Sequence, residues 1–164
     1  MPVENLSKIR DRVRKEGLIE RLSAEEMSKF QGYGFVLRVG ALYEMQQPET
    51  KFCEGELLTR RACLDEVARY SNDGERQVCR WLTANGYYVV ETAERINTVP
   101  DLMPVVYSLA NLSRAGLQIF PTAVPLGHRG PLTFGLQNMN NFRVALEMGI
   151  DICQVVFHKV EGER

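Results

Sequence analysis

The stretch His128-Arg-Gly-Pro-Leu-Thr-Phe-Gly-Leu-Gln-Asn138 decides how this chain folds. Its second half alternates apolar residues with small or polar ones. The apolar set is Leu132, Phe134 and Leu136, and the alternating set is Thr133, Gly135 and Gln137. The same two-residue period recurs in Gly149-Ile-Asp-Ile-Cys-Gln-Val-Val-Phe157. Because side chains of an extended chain point alternately to opposite faces, both stretches predict half-buried antiparallel strands.

Turn-forming residues separate the extended segments from Tyr87 onward. They occur at Pro100-Asp101, Pro121, Pro125 to Gly130 and Asn138 to Asn141. Many short strands with such breaks favour a closed β barrel or a jelly roll over a parallel sheet. The sequence therefore predicts a mainly β protein.

Composition limits the class of protein. The chain has 164 residues, 45% of them apolar, which suits one globular domain with its own core. A net charge of −1 without a long basic run argues against nucleic acid as the main partner. Residues 1–22 are charged throughout and no apolar run of membrane-spanning length exists, so we expect a cytoplasmic protein with no membrane partner.

The four cysteines are spaced too irregularly for a zinc or redox motif. They are Cys53, Cys63, Cys79 and Cys153, and no pair has Cys-x-x-Cys spacing. We expect four free thiols, with Cys153 in a core strand.

Residues 1–31 predict a helical extension before the barrel. Leu6, Ile9 and Val13 recur at helical spacing, and Ser23-Ala-Glu-Glu26 has the form of a capping box for a second short helix. We expect the apolar stripe to pack on the barrel or on a neighbouring subunit, and a site for a specific partner is the less favoured alternative.

The segment between Glu49 and Asn85 has a mixed pattern. Its apolar residues suggest a helix that would end at Ser71-Asn-Asp-Gly74. These residues are Leu57, Leu64, Val67 and Ala68.

Several segments, in their order and spacing, resemble the superfamily of dUTPases and dCTP deaminases. They are Gly32–Tyr43, Trp81–Asp101, Leu109–Leu117, His128–Asn138 and Gly149–Phe157. The resemblance implies a distorted jelly-roll barrel over residues 32–164, assembled as a homotrimer. It also implies a deoxynucleoside triphosphate of the dUTP or dCTP class, bound at subunit interfaces. Mg²⁺ is expected only through that triphosphate, with no metal ligand from the protein.

The resemblance assigns phosphate contacts to Asn111, Ser113 and Arg114, and a nucleotide contact to Gln154. A guanidinium can hold a phosphate through two hydrogen bonds, and an amide can replace a hydroxyl donor. For Arg114 the alternative is an ion pair between subunits. For Ser113 a hydroxyl bonded to the backbone is favoured, and for Gln154 the alternative is a buried amide bonded to the backbone.

The base-recognition hairpin, which the resemblance places before Gly130, departs from the family pattern. His128 and Arg129 are its candidate residues, but the aspartate of relatives has no counterpart there. A surface-turn histidine is favoured over a general base for His128. The deaminase glutamate corresponds to Gly135 and the first-motif aspartate to Val36. Without these carboxylates, proton transfer in either family reaction lacks its expected group.

Two hypotheses follow for function. The first is an enzyme of pyrimidine deoxynucleotide metabolism whose base comes from a displaced carboxylate. The candidates are Glu91, Glu94, Glu147 and Asp151. The second is a trimeric nucleotide sensor or assembly module that has lost catalysis. Relatives carry a tail that closes over the triphosphate, and we expect the residues after Val160 to provide none.

Overall fold

A computed structural model describes residues 5–22, 27, 34–45, 64–71, 73 and 78–160. The elements in these ranges are α1 (Leu6–Glu16), β1 (Ile19–Glu20), β2 (Phe35–Met45), β3 (Leu64–Arg69), β4 (Cys79–Leu82), β5 (Tyr87–Asn97), β6 (Leu102–Ser108), α2 (Ala110–Arg114), β7 (Leu117–Phe120), β8 (Arg129–Asn138), β9 (Val144–Glu147) and β10 (Asp151–Lys159). No helix in these ranges is long and apolar enough to span a membrane.

Eight strands form one antiparallel sheet in the order β6-β10-β2-β5-β8-β7, with β1 added to β5 and β3 to β2. The end strands of this order, β6 and β7, are consecutive in the chain and joined through α2, so the sheet curls into a nearly closed barrel. Strands β4 and β9 form a separate pair. The prediction of a mainly β, jelly-roll-like barrel is confirmed.

The period of two determines which face of β8 enters the core, whereas β10 is buried on both faces. Leu132, Phe134 and Leu136 of β8 are buried, whereas Thr133 between them is exposed. In β10, Cys153, Val155 and Phe157 are within 2% of full burial, but Ile152 and Val156 on the other face are buried as well, so the prediction of a half-buried strand is wrong for β10. Burying each large apolar side chain contributes about 1.5–3 kcal/mol, so the alternation fixes the orientation of β8.

Helix α1 has an identifiable cap at each end. The Asn5 side chain accepts a hydrogen bond from the Ser7 backbone N–H at 3.0 Å. At the other end Gly17 adopts φ 65°, a left-handed conformation that suits glycine, and its N–H donates to the Val13 carbonyl.

The apolar stripe of α1 packs on the barrel of its own chain. Ile9 and Val13 are buried in the same cluster as the barrel core. Arg12 donates two hydrogen bonds to the Asp101 carboxylate, at 2.7 and 3.0 Å, which ties the helix to the start of β6. These bonds lower the pKa of Asp101.

The predicted helix between Glu49 and Asn85 is wrong over its described part. Residues 64–69 form strand β3, which pairs antiparallel with β2. Strand β3 has one extra residue, Val67, opposite the Leu42–Tyr43 step of β2, so Val67 and Ala68 both turn away from solvent although they are neighbours. The resulting apolar spacing imitates a helical one.

Two thiols can be placed: Cys79 is exposed and Cys153 is buried, as predicted for the latter. Burial raises the pKa of the Cys153 thiol. Several predicted features lie outside the described residues. They are the capping box Ser23–Glu26, Gly32, Tyr33, Leu57, Cys53, Cys63 and the segment after Val160.

Candidate functional site

The predicted phosphate-binding residues lie together on α2, the single helical turn between β6 and β7. Leu112 faces the core, and Asn111, Ser113 and Arg114 are exposed. The Arg114 guanidinium forms no hydrogen bond or ion pair with another residue in the described part of the chain. It is therefore available to an anion from solvent or from another molecule.

A buried asparagine holds the region around α2. Asn138, at the end of β8, is fully buried, and its amide donates to the carbonyl oxygens of Thr83 at 2.9 Å and Phe142 at 2.8 Å. Its Oδ1 accepts from the backbone N–H and the side-chain amide of Asn140, at 3.1 and 2.9 Å. These bonds satisfy a polar group that would otherwise be costly to bury.

Asn140 extends this network to the turn that follows Arg114. Its amide donates to the Ala115 carbonyl at 2.9 Å, and the N–H of Met139 donates to the Gly116 carbonyl at 2.8 Å. Gly116 has φ 71°, and a Cβ at this position would collide with Asn140. Sequence reasoning placed this region in a turn and missed Asn140. The clustering of Asn138 to Asn141 was the available signal.

The position that the resemblance assigns to the deaminase glutamate is occupied by an aromatic ring. Gly135 is buried in β8, and a Cβ added there would collide with the hydroxyl of Tyr87. The Tyr87 ring lies 6.1 Å, centroid to centroid, from that of Phe120, which pairs with Gly135 across the strands. A carboxylate side chain at position 135 would need Tyr87 to move.

The hairpin after β7 encloses a small pocket of about 220 Å³. Its described lining residues are Val106, Thr122, Ala123, Val124, Pro125, His128, Pro131, Leu132, Thr133 and Phe134, none of them a carboxylate. This agrees with the missing aspartate. Arg129 is exposed at the start of β8, opposite Asn97, and is absent from the described lining.

His128 is half-buried and anchored within the hairpin. Its Nε2 lies 3.2 Å from the carbonyl oxygen of Gly130. Its own carbonyl accepts from the Thr98 N–H at 2.9 Å, and its N–H donates to the Pro125 carbonyl at 3.2 Å. These contacts give His128 a structural role in closing the turn.

Gln154 lies on β10 between Val36 of β2 and Tyr107 of β6. It is half-buried, and a Cβ at Gly34 would lie 2.9 Å from its Cγ. Tight packing against Gly34, the residue before β2, thus restricts this side chain. Val36, where the resemblance expects an aspartate, is its cross-strand neighbour.

Within one subunit, the candidate phosphate-binding residues and the candidate base-binding residues lie at opposite ends of β7. Arg114 precedes Leu117, the first residue of β7, and the hairpin containing His128 follows Phe120, the last. Four extended residues span about 10 Å. Gln154 pairs with Tyr107 close to the end of β6 that leads into α2, and its neighbour Val155 pairs with Val106, which lines the hairpin pocket.

Glu94 is committed to a buried ion pair and has no solvent access. Its carboxylate accepts from the backbone N–H of Arg38 at 2.8 Å and from the Arg38 Nε at 2.7 Å. Arg38 also contacts Tyr70, with its guanidinium 3.1 Å from the hydroxyl and 5.0 Å from the ring centroid. Burial raises the pKa of Glu94, and the bonds to Arg38 oppose that rise.

The other displaced-carboxylate candidates do not line the hairpin pocket. Glu147 and Asp151 are exposed, and Glu91 lies 3.6 Å from the Arg69 guanidinium. Among the described residues, no group of three or more His, Cys, Asp or Glu side chains could hold a metal ion.

Comparison with known proteins identifies the relatives of this fold. Residues 5–160 match the family described as dCTP deaminase-like. The chain is 33% identical to a dCTP deaminase of Halorubrum lacusprofundi over 105 residues, which cover 60% of this chain and 50% of the relative. It is 29% identical to a dUMP-forming dCTP deaminase of Methanopyrus kandleri over 113 residues, 62% of this chain and 57% of the relative. The chain thus spans about half the length of these curated relatives.

A solved structure supports the same fold. The dCTP deaminase of Agrobacterium tumefaciens superposes with a TM-score of 0.71 at 15% identity, covering 97% of this chain and 48% of that chain. The superfamily resemblance inferred from the sequence is confirmed.

Proposed function

Because the chain belongs to the dCTP deaminase-like family, we propose that it binds a deoxynucleoside triphosphate of the dUTP or dCTP class where copies of the chain meet. The position of Arg114 carries this proposal. Its guanidinium faces solvent on α2, whereas the hairpin pocket lies beyond the far end of β7. In a symmetric assembly, α2 of one copy can supply phosphate contacts to a base held in the hairpin of another.

Exposed apolar side chains support an assembly that covers them. Those with large side chains include Trp81, Tyr87, Tyr107, Phe120, Met139 and Phe142, each between 43% and 60% exposed. Soluble monomers rarely leave extensive apolar surface in contact with water. We therefore propose a homotrimer, the closed assembly implied by the family resemblance.

Light scattering is expected to give a particle of about three chains. The physical reason is that repeated contacts between identical subunits close most simply through rotational symmetry. Size-exclusion chromatography with multi-angle light scattering measures the mass directly. A monodisperse monomer across the micromolar range would contradict the trimer.

The proposed role is nucleotide binding without efficient turnover, as in a sensor or an assembly module. Two features support it: Tyr87 occupies the space at Gly135, and no carboxylate lines the described part of the hairpin pocket. General acid–base catalysis needs a titratable group at the reacting atoms. Magnesium would be held by phosphate oxygens, because the described side chains offer no cluster of ligands for it.

Replacing Arg114 with Ala is expected to weaken nucleotide binding by about 10- to 150-fold, corresponding to about 1.5–3 kcal/mol for a charge-assisted contact. Calorimetric titration with dCTP or dUTP in the presence of Mg²⁺ measures this change. Arg80→Ala is the matched control, since Arg80 is also an exposed arginine and forms only a 3.6 Å contact with Glu44. Equal affinities for the wild type and Arg114→Ala would show that Arg114 does not touch the ligand.

A further inference from the structure

A second and larger cavity, of about 760 Å³, opens where the pairing of β2 and β5 is interrupted. The register shifts between Val39 and Ala41, so Gly40 forms a bulge. A Cβ at Gly40 would lie 2.6 Å from the Ala93 backbone nitrogen, and glycine therefore permits this close approach. Bulges redirect neighbouring side chains, and a volume of this size is typical of small-molecule sites.

The lining of this cavity is rich in guanidinium groups. Of its described lining residues four are arginines and one is a carboxylate, namely Arg21, Arg38, Arg69, Arg95 and Glu91. The charge of Arg38 is paired with that of Glu94, which is fully buried. The other arginines lie closer to solvent.

Two of these arginines have partners that an anion can replace. Arg95 lies 3.3 Å from Glu20, and the side chains of this pair are 37% and 50% exposed. Arg69 pairs with Glu66, and these side chains are 51% and 41% exposed; its guanidinium also lies 3.6 Å from Glu91. Exposed ion pairs contribute little to stability because water and salt screen them. A phosphate with two or more charges can therefore compete for the same guanidinium groups.

Arg21 provides an independent sign of a binding role. Its backbone has φ 66°, a left-handed conformation that is disfavoured for a residue with a Cβ. Strand β1 holds it in place, because Ile19 and Glu20 pair with Ile96 and Arg95 of β5. The Arg21 side chain forms no hydrogen bond or ion pair with any described residue. A strained position thus places at the cavity a guanidinium that no described residue pairs with.

We propose that this cavity is a second anion site, which binds the phosphate groups of a phosphorylated small molecule of nucleotide size. Arg21 and Arg95 hold phosphate oxygens at the rim, each through the planar fork of its guanidinium. Tyr70 and the Arg38–Glu94 pair form the polar floor. Pro131 lines both this cavity and the hairpin pocket, but the two otherwise share no described lining residue.

Inorganic pyrophosphate is the probe, titrated calorimetrically at low ionic strength into Arg114→Ala protein, which removes the α2 guanidinium. We expect binding to persist in this background and to weaken by about tenfold or more when Arg21→Gly and Arg95→Gln are added, since two charge-assisted contacts are lost. Glycine suits the φ of Arg21, so Arg21→Gly alone is expected to melt at or above the wild-type temperature. Arg80→Gln is the control and is expected to leave affinity unchanged.

Three results would overturn the second site. The first is that the Arg114→Ala protein does not bind pyrophosphate. The second is that its affinity for pyrophosphate is the same with and without Arg21→Gly and Arg95→Gln. The third is that Arg80→Gln lowers this affinity as much as those two changes do. If Arg114→Ala alone abolishes pyrophosphate binding, the ligand lies at α2 and the cavity is not a site. If deoxynucleotide binding fails while pyrophosphate binding persists and depends on Arg21, the proposed function is wrong and the second site stands.

Discussion

The purified protein is expected to deaminate dCTP and to hydrolyse dUTP at rates well below about 1 s⁻¹, the lower end of ordinary enzyme turnover. An acid–base group in the correct position typically contributes about 10²- to 10⁴-fold to a rate. Gly135 can neither accept nor donate a proton, and the described lining of the hairpin pocket contains no carboxylate. Ammonia release from dCTP and diphosphate release from dUTP measure the two reactions.

A pair of variants tests whether Tyr87 occupies the space that a glutamate side chain at position 135 would need. Gly135→Glu alone is expected to destabilise the protein, because its side chain meets the Tyr87 hydroxyl. Combining it with Tyr87→Ala makes room, so the two changes should be less destabilising together than the sum of their separate effects. Additive destabilisation would mean that Tyr87 does not occupy the glutamate position.

Turnover of either nucleotide at about 1 s⁻¹ or faster would contradict the degenerate site. Single replacement of Glu91, Glu147 and Asp151 by the corresponding amides would then locate the displaced base. Glu94 is a poor candidate because it has no exposed surface and both its oxygens bond Arg38.

The parts of the fold that could be predicted are those with a local signal. Alternation in β8 appears in a few consecutive residues and directly determines which side chains enter the core. The apolar stripe of α1 is equally local. Strand β3 was missed because it has one extra residue, Val67, opposite the Leu42–Tyr43 step of β2, and this irregularity removes the period of two from residues 64–69.

The candidate site was only partly predictable, because its contacts connect residues far apart in sequence. Tyr87 covers Gly135 only because β5 and β8 pair with Tyr87 opposite Gln137. Asn140 controls the turn after α2 through hydrogen bonds that span 25 residues. Arg38 and Glu94 are 56 residues apart. Composition and period carry no information about such pairs.

Replacing Glu94 with Leu is expected to lower the free energy of unfolding by about 3–5 kcal/mol, the cost of leaving a buried partner uncompensated. The Arg38 backbone N–H and its Nε would both lose the Glu94 carboxylate as their acceptor. Glu94→Gln is the matched variant: it keeps one acceptor oxygen and nearly the same volume, so it should cost less. Chemical denaturation of the three proteins measures these differences.

The dependence on pH distinguishes burial from the charge of Arg38 as the dominant influence on Glu94. Burial raises the pKa of Glu94 above the ordinary 4.5, so the folded state binds its proton more tightly than the unfolded state. The stability that this proton contributes is fully present below pH 4.5 and is lost as the pH rises through the folded pKa. The amide introduced by Glu94→Gln cannot titrate, whereas all other groups are shared by the two proteins. The advantage of wild type over Glu94→Gln should therefore be largest in acid and shrink towards neutral pH. An advantage that grows with pH would mean that Arg38 holds the carboxylate in its charged form more strongly than burial opposes it.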